Sequence, residues 1–158
     1  MARNGEGGPP MTRAELLAFM RRHPHSVQAT VGADGTPQAA VVGIVVSDDF
    51  ELFFDTIETT RKAVNVRAGS RLAFVVGGPE AGAHETVQLV GTADEPRDVD
   101  LEELKQLYFT RFPDGVARQA WKGLTYVRVR PTWLRYSDFR VDPPRIQEWD
   151  AQALDRLR

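Results

Sequence analysis

The sequence contains no cysteine. Disulfides, thiolate metal sites and a cysteine nucleophile are therefore excluded, and a reducing compartment suits the chain. No run of eighteen consecutive apolar residues occurs, so no stretch reads as a membrane-spanning helix. An excess of one charge is lacking too. The 20 basic and 22 acidic residues leave a net charge of −2, which implies no general polyanion-binding surface. Ready-made catalytic signatures are missing: there is no Gly-x-Ser-x-Gly elbow, no Walker loop and no Gly-x-Gly-x-x-Gly. Histidine is scarce, with only His23, His25 and His84. The pair in "HPH" falls at a helix end, where capping is an ordinary role. His84 stands beside Glu85 without further ligands at metal spacing. No carboxylate pair is singled out for acid–base work, since Asp48-Asp49 reads as a turn and Glu102-Glu103 as a solvated helix face.

What is present suits one domain. A chain of 158 residues buries about 70% of the surface it exposes when unfolded, enough for a core without covalent staples. "MARNGEGGPP" is polar, rich in glycine and proline, and has no apolar centre of a secretory signal. Residues 1–11 therefore read as a disordered lead-in and 12–158 as the domain, with the cytoplasm as the expected location. "MTRAELLAFMRRHP" opens with a capping box, Thr12 and Glu15, and sets Leu16, Leu17, Phe19 and Met20 on one helical face before Pro24. "SVQATVGADGTPQAAVVGIVVSDDFELFFDT" is β-branched and apolar, cut by Ala33-Asp34-Gly35 and by Ser47-Asp48-Asp49. Those cuts predict three antiparallel strands near 26–31, 37–46 and 51–55. A short helix follows, closed by Gly69. "RLAFVVG" and the long "ETVQLVGTADEP" predict a fourth and a fifth strand around the loop "GPEAGAH". Asp98 or Asp100 can cap a helix over "VDLEELKQLYFTRF", with Leu101, Leu104, Leu107 and Tyr108 as its apolar stripe. "LTYVRVRP" and "TWLRYSDF" predict strands six and seven, and "IQEWDAQALDRLR" a final helical turn or two. Meander order with inserted helices argues against a parallel sheet and for a small antiparallel barrel or a strongly curled sheet.

The most pointed local signal is "ETTRKAVNVRAG", residues 58–69, where Thr59, Thr60, Arg61 and Lys62 open a helix. Free N–H groups and the positive dipole end already favour an anion at such a place. A hydroxyl and two cations there could hold a phosphate; they are equally the composition of a cap with two solvated charges. Cations at a helix N-terminus are unfavourable by ~0.3–1 kcal/mol unless an anion intervenes. That misplacement keeps the anion reading open.

The order of elements adds context. A strand, a "DG" turn, a strand, the aromatic-rich "ELFFDT", then Arg-Lys at a helix start, "RLAFVV" and "VQLVGTA" follow one another, with "RVRPTWLRY" near the end. From about Val27 to Pro131 this resembles the pyridoxamine 5′-phosphate oxidase-like family of flavin-binding split barrels. The resemblance implies a mainly β (α+β) fold, a six- to seven-stranded antiparallel split β-barrel with short flanking helices. It implies a homodimer with flavin mononucleotide (FMN) at the interface and a small-molecule substrate. Arg61 and Lys62 match the family's phosphate grip, Thr60 would add a hydroxyl, and Asp55 and Thr56 match residues lining the site. The isoalloxazine would run along Ala40, Val41, Val42 and Gly43, and Thr86 or Gln88 would face the ring. The implied activity is that of a flavin-dependent oxidoreductase.

Departures from the family accompany the match. Where pyridoxamine phosphate oxidases carry Arg-x-His, this chain has "RIQEW". Arg145 remains, Gln147 stands for the histidine, and Trp149 stands for a flavin-contacting arginine, so oxidation of pyridoxamine phosphate is not implied. Trp149 reads either as a ring near the flavin or as a buried core tryptophan. Within the same fold, an 8-hydroxy-5-deazaflavin could use Arg67 and Arg71 for its anionic tail, and haem could use His84 as axial ligand. A non-catalytic flavin-binding dimer is the third alternative.

Overall fold

The computed structural model describes residues 3–4, 8–78 and 84–157. Helix α1 (Arg13–Arg22) begins with the expected capping box: the Glu15 N–H donates to Thr12 Oγ1 at 3.2 Å, and Glu15 Oε2 accepts from the Thr12 N–H at 2.7 Å. Its Leu16, Leu17, Phe19 and Met20 are buried, each fully buried large side chain contributing ~1.5–3 kcal/mol. Strand β2 (His25–Val31) follows, with an alternation that puts Ser26, Gln28 and Thr30 inside. An inward row of polar side chains reverses the usual pattern of a half-buried strand.

The strand expected over 37–46 is divided in the structure. Strand β3 (Pro37–Gly43) pairs with β2, whereas β4 (Val45–Val46) turns to pair with β5 (Leu52–Ile57). The break at Ile44 lets one run of chain serve two sides of the barrel. Helix α2 (Arg61–Gly69) leads to β6 (Arg71–Val76), and the left-handed residue that ends it is Ser70, at φ 51°, not Gly69. Strand β7 (Glu85–Asp94) comes next, and residues 79–83 of the expected "GPEAGAH" loop lie outside the described residues. Helix α3 (Asp98–Arg111) has Arg97 at its N-cap without a side-chain cap bond, because Asp100 is drawn instead to Arg128 at 2.8 Å. A short helix, α4 (Gly115–Arg118), precedes β8 (Leu124–Asp138).

The predicted sixth and seventh strands are one. Strand β8 runs through Pro131, which lies opposite Gly91 at a register shift in the β7–β8 ladder. A bulge is where a strand tolerates proline. Gly91 allows the close approach, since a Cβ there would stand 2.7 Å from the Arg130 carbonyl oxygen. The remaining long strand is β9 (Arg145–Asp150), a stretch read from the sequence as a ligand contact; α5 (Ala151–Leu157) then realises the expected final helix. Within the lead-in, β1 (Arg3–Asn4) pairs with β9.

Seven strands longer than two residues thus form a mostly antiparallel sheet in the order β9-β8-β7-β6-β2-β3, with β5 on the other part of β8. The sheet curls into a half-barrel, as predicted. Its interior holds Phe50, Phe54, Phe74, Leu89, Leu134 and Tyr136; a second cluster of Val45, Phe53, Leu104 and Tyr108 fixes α3 on the outside.

Candidate functional site

Successive side chains of a strand point to opposite faces, and β5 ends by sending Asp55 and Thr56 in different directions. Thr56 is buried, its Oγ1 3.0 Å from Thr60 Oγ1. Thr60 is the N-cap of α2: its hydroxyl donates to the Ile57 carbonyl at 2.8 Å and accepts from the Ala63 N–H at 3.4 Å. With that proton committed, Thr60 shapes the helix start and has no hydrogen left for an anion. Arg61 is exposed and Lys62 half-buried. Among the described residues neither has an acidic side chain within ion-pair distance. Arg61 lines a cleft of about 450 Å³ with Gly32, Asp34, Pro37, Gln38 and Asn65, at the hairpin end of β3. Asn65 donates to Thr30 Oγ1 at 3.0 Å, tying α2 to β2. Asp34 in this cleft is held below the usual carboxylate range, chiefly by the Thr36 N–H at 3.0 Å.

Strand β3 pairs only with β2 among the described residues, so its other edge carries no strand. Of the four residues expected under a ring, Ala40 and Val42 turn inward while Val41 and Gly43 face outward. Register places Val41 beside Val27, Val27 beside Val75 and Val75 beside Gln88, a row across four strands. A second row joins Ala39, Ala29, Ala73, Val90 and Trp133. Gln88 and Val41, far apart in sequence, therefore share the outer face, and Thr86 lies on Gln88's side of its strand. That face is apolar and open: Val41 is 67% exposed and Val27 42%. A ring does lie on Gly43, but it is the protein's own Phe112, whose Cζ would be 3.0 Å from a Cβ at that position.

Asp55 is occupied elsewhere. Its carboxylate accepts from the Tyr108 hydroxyl at 2.9 Å and from Arg118 Nε at 2.8 Å, and Arg118 also pairs with Asp114. Burial, then the Asp55 charge, raises the Tyr108 hydroxyl above its ordinary pKa. Tyr126, opposite Asp55 on β8, stacks on Phe53 at 5.3 Å. Asp55 thus docks α3 and α4 on the barrel. Sequence reasoning missed Tyr108 and Arg118 as its partners because no local spacing announces a contact 63 residues away.

A family model described as pyridoxamine 5′-phosphate oxidase matches residues 12–138. The chain belongs to that family. No curated protein matches the chain. Among solved structures, it is similar to a haem-binding protein from Mycobacterium smegmatis (14% identity, TM-score 0.79, 94% of this chain and 62% of that one). It is similar also to Atu2129 from Agrobacterium tumefaciens, described as of unknown function (20% identity, TM-score 0.67, 82% and 59%). HutZ, the haem storage protein from Vibrio cholerae, matches with 18% identity and a TM-score of 0.66 over 77% and 91%. At these identities the likeness is one of fold. The chain spans about three fifths of the length of the first two, 62% and 59%.

The pyridoxamine 5′-phosphate oxidase fold of this chain gives its C-terminal residues structural tasks. Gln147 is buried; its Oε1 accepts from the Met11 N–H at 2.8 Å and its Nε2 donates to the Pro9 carbonyl at 3.1 Å. Arg145 donates to the same Pro9 oxygen at 2.5 Å. Trp149 is buried among core residues that include Ala153 and Leu154, which supports the core reading. Arg67 is committed to Glu95 at 2.6 Å and to Glu58 at 3.7 Å, so it is no spare cation for a long anionic tail. His84 is exposed just before β7, two strands from β2, whereas His25 is exposed beside Gly43. Among the described residues no group of three His, Cys, Asp or Glu side chains could hold a metal ion, and no helix is long and apolar enough to cross a membrane.

Proposed function

We propose that this protein is an FMN-dependent oxidoreductase acting on a small molecule, as a two-fold dimer with the cofactor between subunits. The observation that carries the reading is the pair Arg61 and Lys62 at the positive end of α2, neither in a direct ion pair among the described residues, with Asp34 across the Arg61 cleft as the acidic group that Arg61's charge reaches. Two cations without a direct ion pair at a dipole end that disfavours them fit a bound phosphate. Arg61 and Lys62 would hold that group by charge-assisted bonds, with the first N–H groups of α2, while Thr60 keeps the helix start in place. The bound flavin would supply hydride or electron transfer, a chemistry that needs no catalytic triad. The chain itself would contribute the apolar outer face around Val27, Val41 and Ala39, excluding water, and the Gln88 amide on the same row as Val41 to bond a polar ring edge. An apolar face of this extent on a sheet with an unpartnered edge fits burial by a second copy. The lack of cysteine suits the cytoplasm.

Oxidation of pyridoxamine 5′-phosphate is not part of this reading, because Arg145 and Gln147 hold the N-terminal segment. A haem reading has its own support in the names of two structural neighbours, and exposed His25 is a better placed ligand for it than His84. The test is the visible spectrum of the purified protein and of the ligand released on denaturation. A two-banded yellow chromophore is expected. A Soret band would replace the flavin reading by haem, and a single blue-shifted band by a deazaflavin.

A further inference from the structure

Strand β3, an edge strand among the described residues, has different chemistry at its two ends. At the hairpin end, Arg61 borders the cleft with Pro37 and Gln38. At the other end Phe112 rests on Gly43, about 20 Å away along the strand at ~3.4 Å per residue. Between them Ala39 and Val41, with their partners Ala29 and Val27, present small apolar side chains. Gly43 is not a turn glycine, since its φ is not positive. Its hydrogen is matched to the ring above it: a Cβ would meet Phe112 Cζ at 3.0 Å and Cε1 at 3.2 Å. Phe112 is in turn held from behind. It is the C-cap of α3, its N–H bonded to the Tyr108 carbonyl at 2.7 Å, its ring 4.9 Å from that of Tyr108 and edge-on to His25 at 5.9 Å. Tyr108 is fully buried and anchored on Asp55. Phe112 is half-buried, so part of this fixed ring is open to solvent at the Gly43 end of the strand.

We propose that Phe112 is a specificity-determining residue: it closes the Gly43 end of β3 and contacts the ring of a planar heterocycle whose phosphate is held at Arg61. The inference rests on the flavin reading and extends it, because the ligand's length and the position of its ring follow from an aromatic wall at one end and cations at the other. No short sequence pattern assigns Phe112 this role, since it lies 69 residues from Gly43.

The test is titration of FMN into the flavin-free protein and its Phe112→Ala, Phe112→Trp and Gly43→Ala variants, following flavin emission and visible circular dichroism. Phe112→Ala should weaken FMN binding roughly three- to tenfold, the size of an aromatic contact. Phe112→Trp should retain affinity and quench flavin emission more deeply than the parent, because an indole touching the ring is the stronger electron donor. Gly43→Ala, which displaces Phe112, should alter the visible dichroism of the bound flavin. If the parent binds FMN while Phe112→Trp quenches no further, Phe112 only packs α3 and the proposal is overturned, whatever Phe112→Ala does. If the parent binds no FMN, the flavin reading falls first and this inference with it.

Discussion

Replacing Arg61 and Lys62 together by alanine separates binding from folding, with effects of opposite sign. Both residues lie in the first turn of α2, and neither has an ion-pair partner among the described residues. Removing them therefore deletes no direct ion pair of the empty protein, only the longer-range attraction of Arg61 to Asp34. It does remove two cations from a positive dipole end, each unfavourable by ~0.3–1 kcal/mol. Alanine is also the best helix former. The ligand-free double variant should be more stable by about 1 kcal/mol, equivalent to roughly 2–4 °C in melting temperature for a domain of this size. The gain should shrink at high salt, where the dipole interaction is screened. Cofactor binding should move the other way. Two charge-assisted hydrogen bonds at ~1.5–3 kcal/mol each amount to roughly 100- to 10,000-fold in affinity. Thermal melts of flavin-free protein at low and high salt, paired with FMN titrations, read both effects. A ligand-free variant that melts several degrees lower, or FMN affinity within threefold of the parent, would refute the reasoning.

Further outcomes follow from individual contacts. Gln28 is fully buried and neither end of its amide has a hydrogen-bond partner among the described residues, so Gln28→Met should raise the unfolding free energy by roughly 1–3 kcal/mol, read from urea denaturation; an unchanged or lower value would mean the amide is satisfied. Asp55→Ala removes the carboxylate that accepts from both Tyr108 and Arg118 at the seat of α3 and α4, leaving Arg118 only Asp114 and the Tyr108 oxygen, and should cost about 3 kcal/mol, measured by urea denaturation; a neutral result would remove Asp55 from its docking role. Asp94 and Asp138 are held below their ordinary pKa of 3.8 chiefly by hydrogen bonds from Arg128 and Arg140. The stability they contribute is complete above that value and is lost as pH falls through their lower folded pKa values, so urea midpoints should fall below about pH 4. Burial raises the Tyr108 and Tyr136 hydroxyls above 10.0, so their contribution should be present below pH 10 and fade as pH climbs towards the folded values.

The parts of the fold legible in the sequence are those made by neighbours. Thr12 and Glu15 are three residues apart, and the capping box they form needs nothing else. The alternation of β7 and the cap of α2 are similarly local. The break at Ile44 was hidden because "QAAVVGIVV" is uniformly apolar and the change of partner from β2 to β5 leaves no mark on it. Pro131 looked like a strand end, yet the extra room of a bulge opposite Gly91 admits it. Strand β9 was obscured because "RIQEWD" has too few β-branched residues to declare itself, and β8 recruits it by offering an edge. Of the candidate site, the cations at α2 were visible; the hydroxyl of Thr60 was assigned to an anion before its bond to Ile57 could be known.

The capping box of α1, the antiparallel character of the sheet and the family were decided by the amino-acid sequence alone, because hydrogen bonds over three or four residues and period-two burial are written in consecutive letters. Tertiary structure decided which of the nominated residues meet. It set Val41 and Gln88 on one row, turned Asp55 away towards Arg118, and laid Phe112 on Gly43. Those contacts join residues 45 to 70 positions apart, and only sheet register and the docking of α3 bring them within reach.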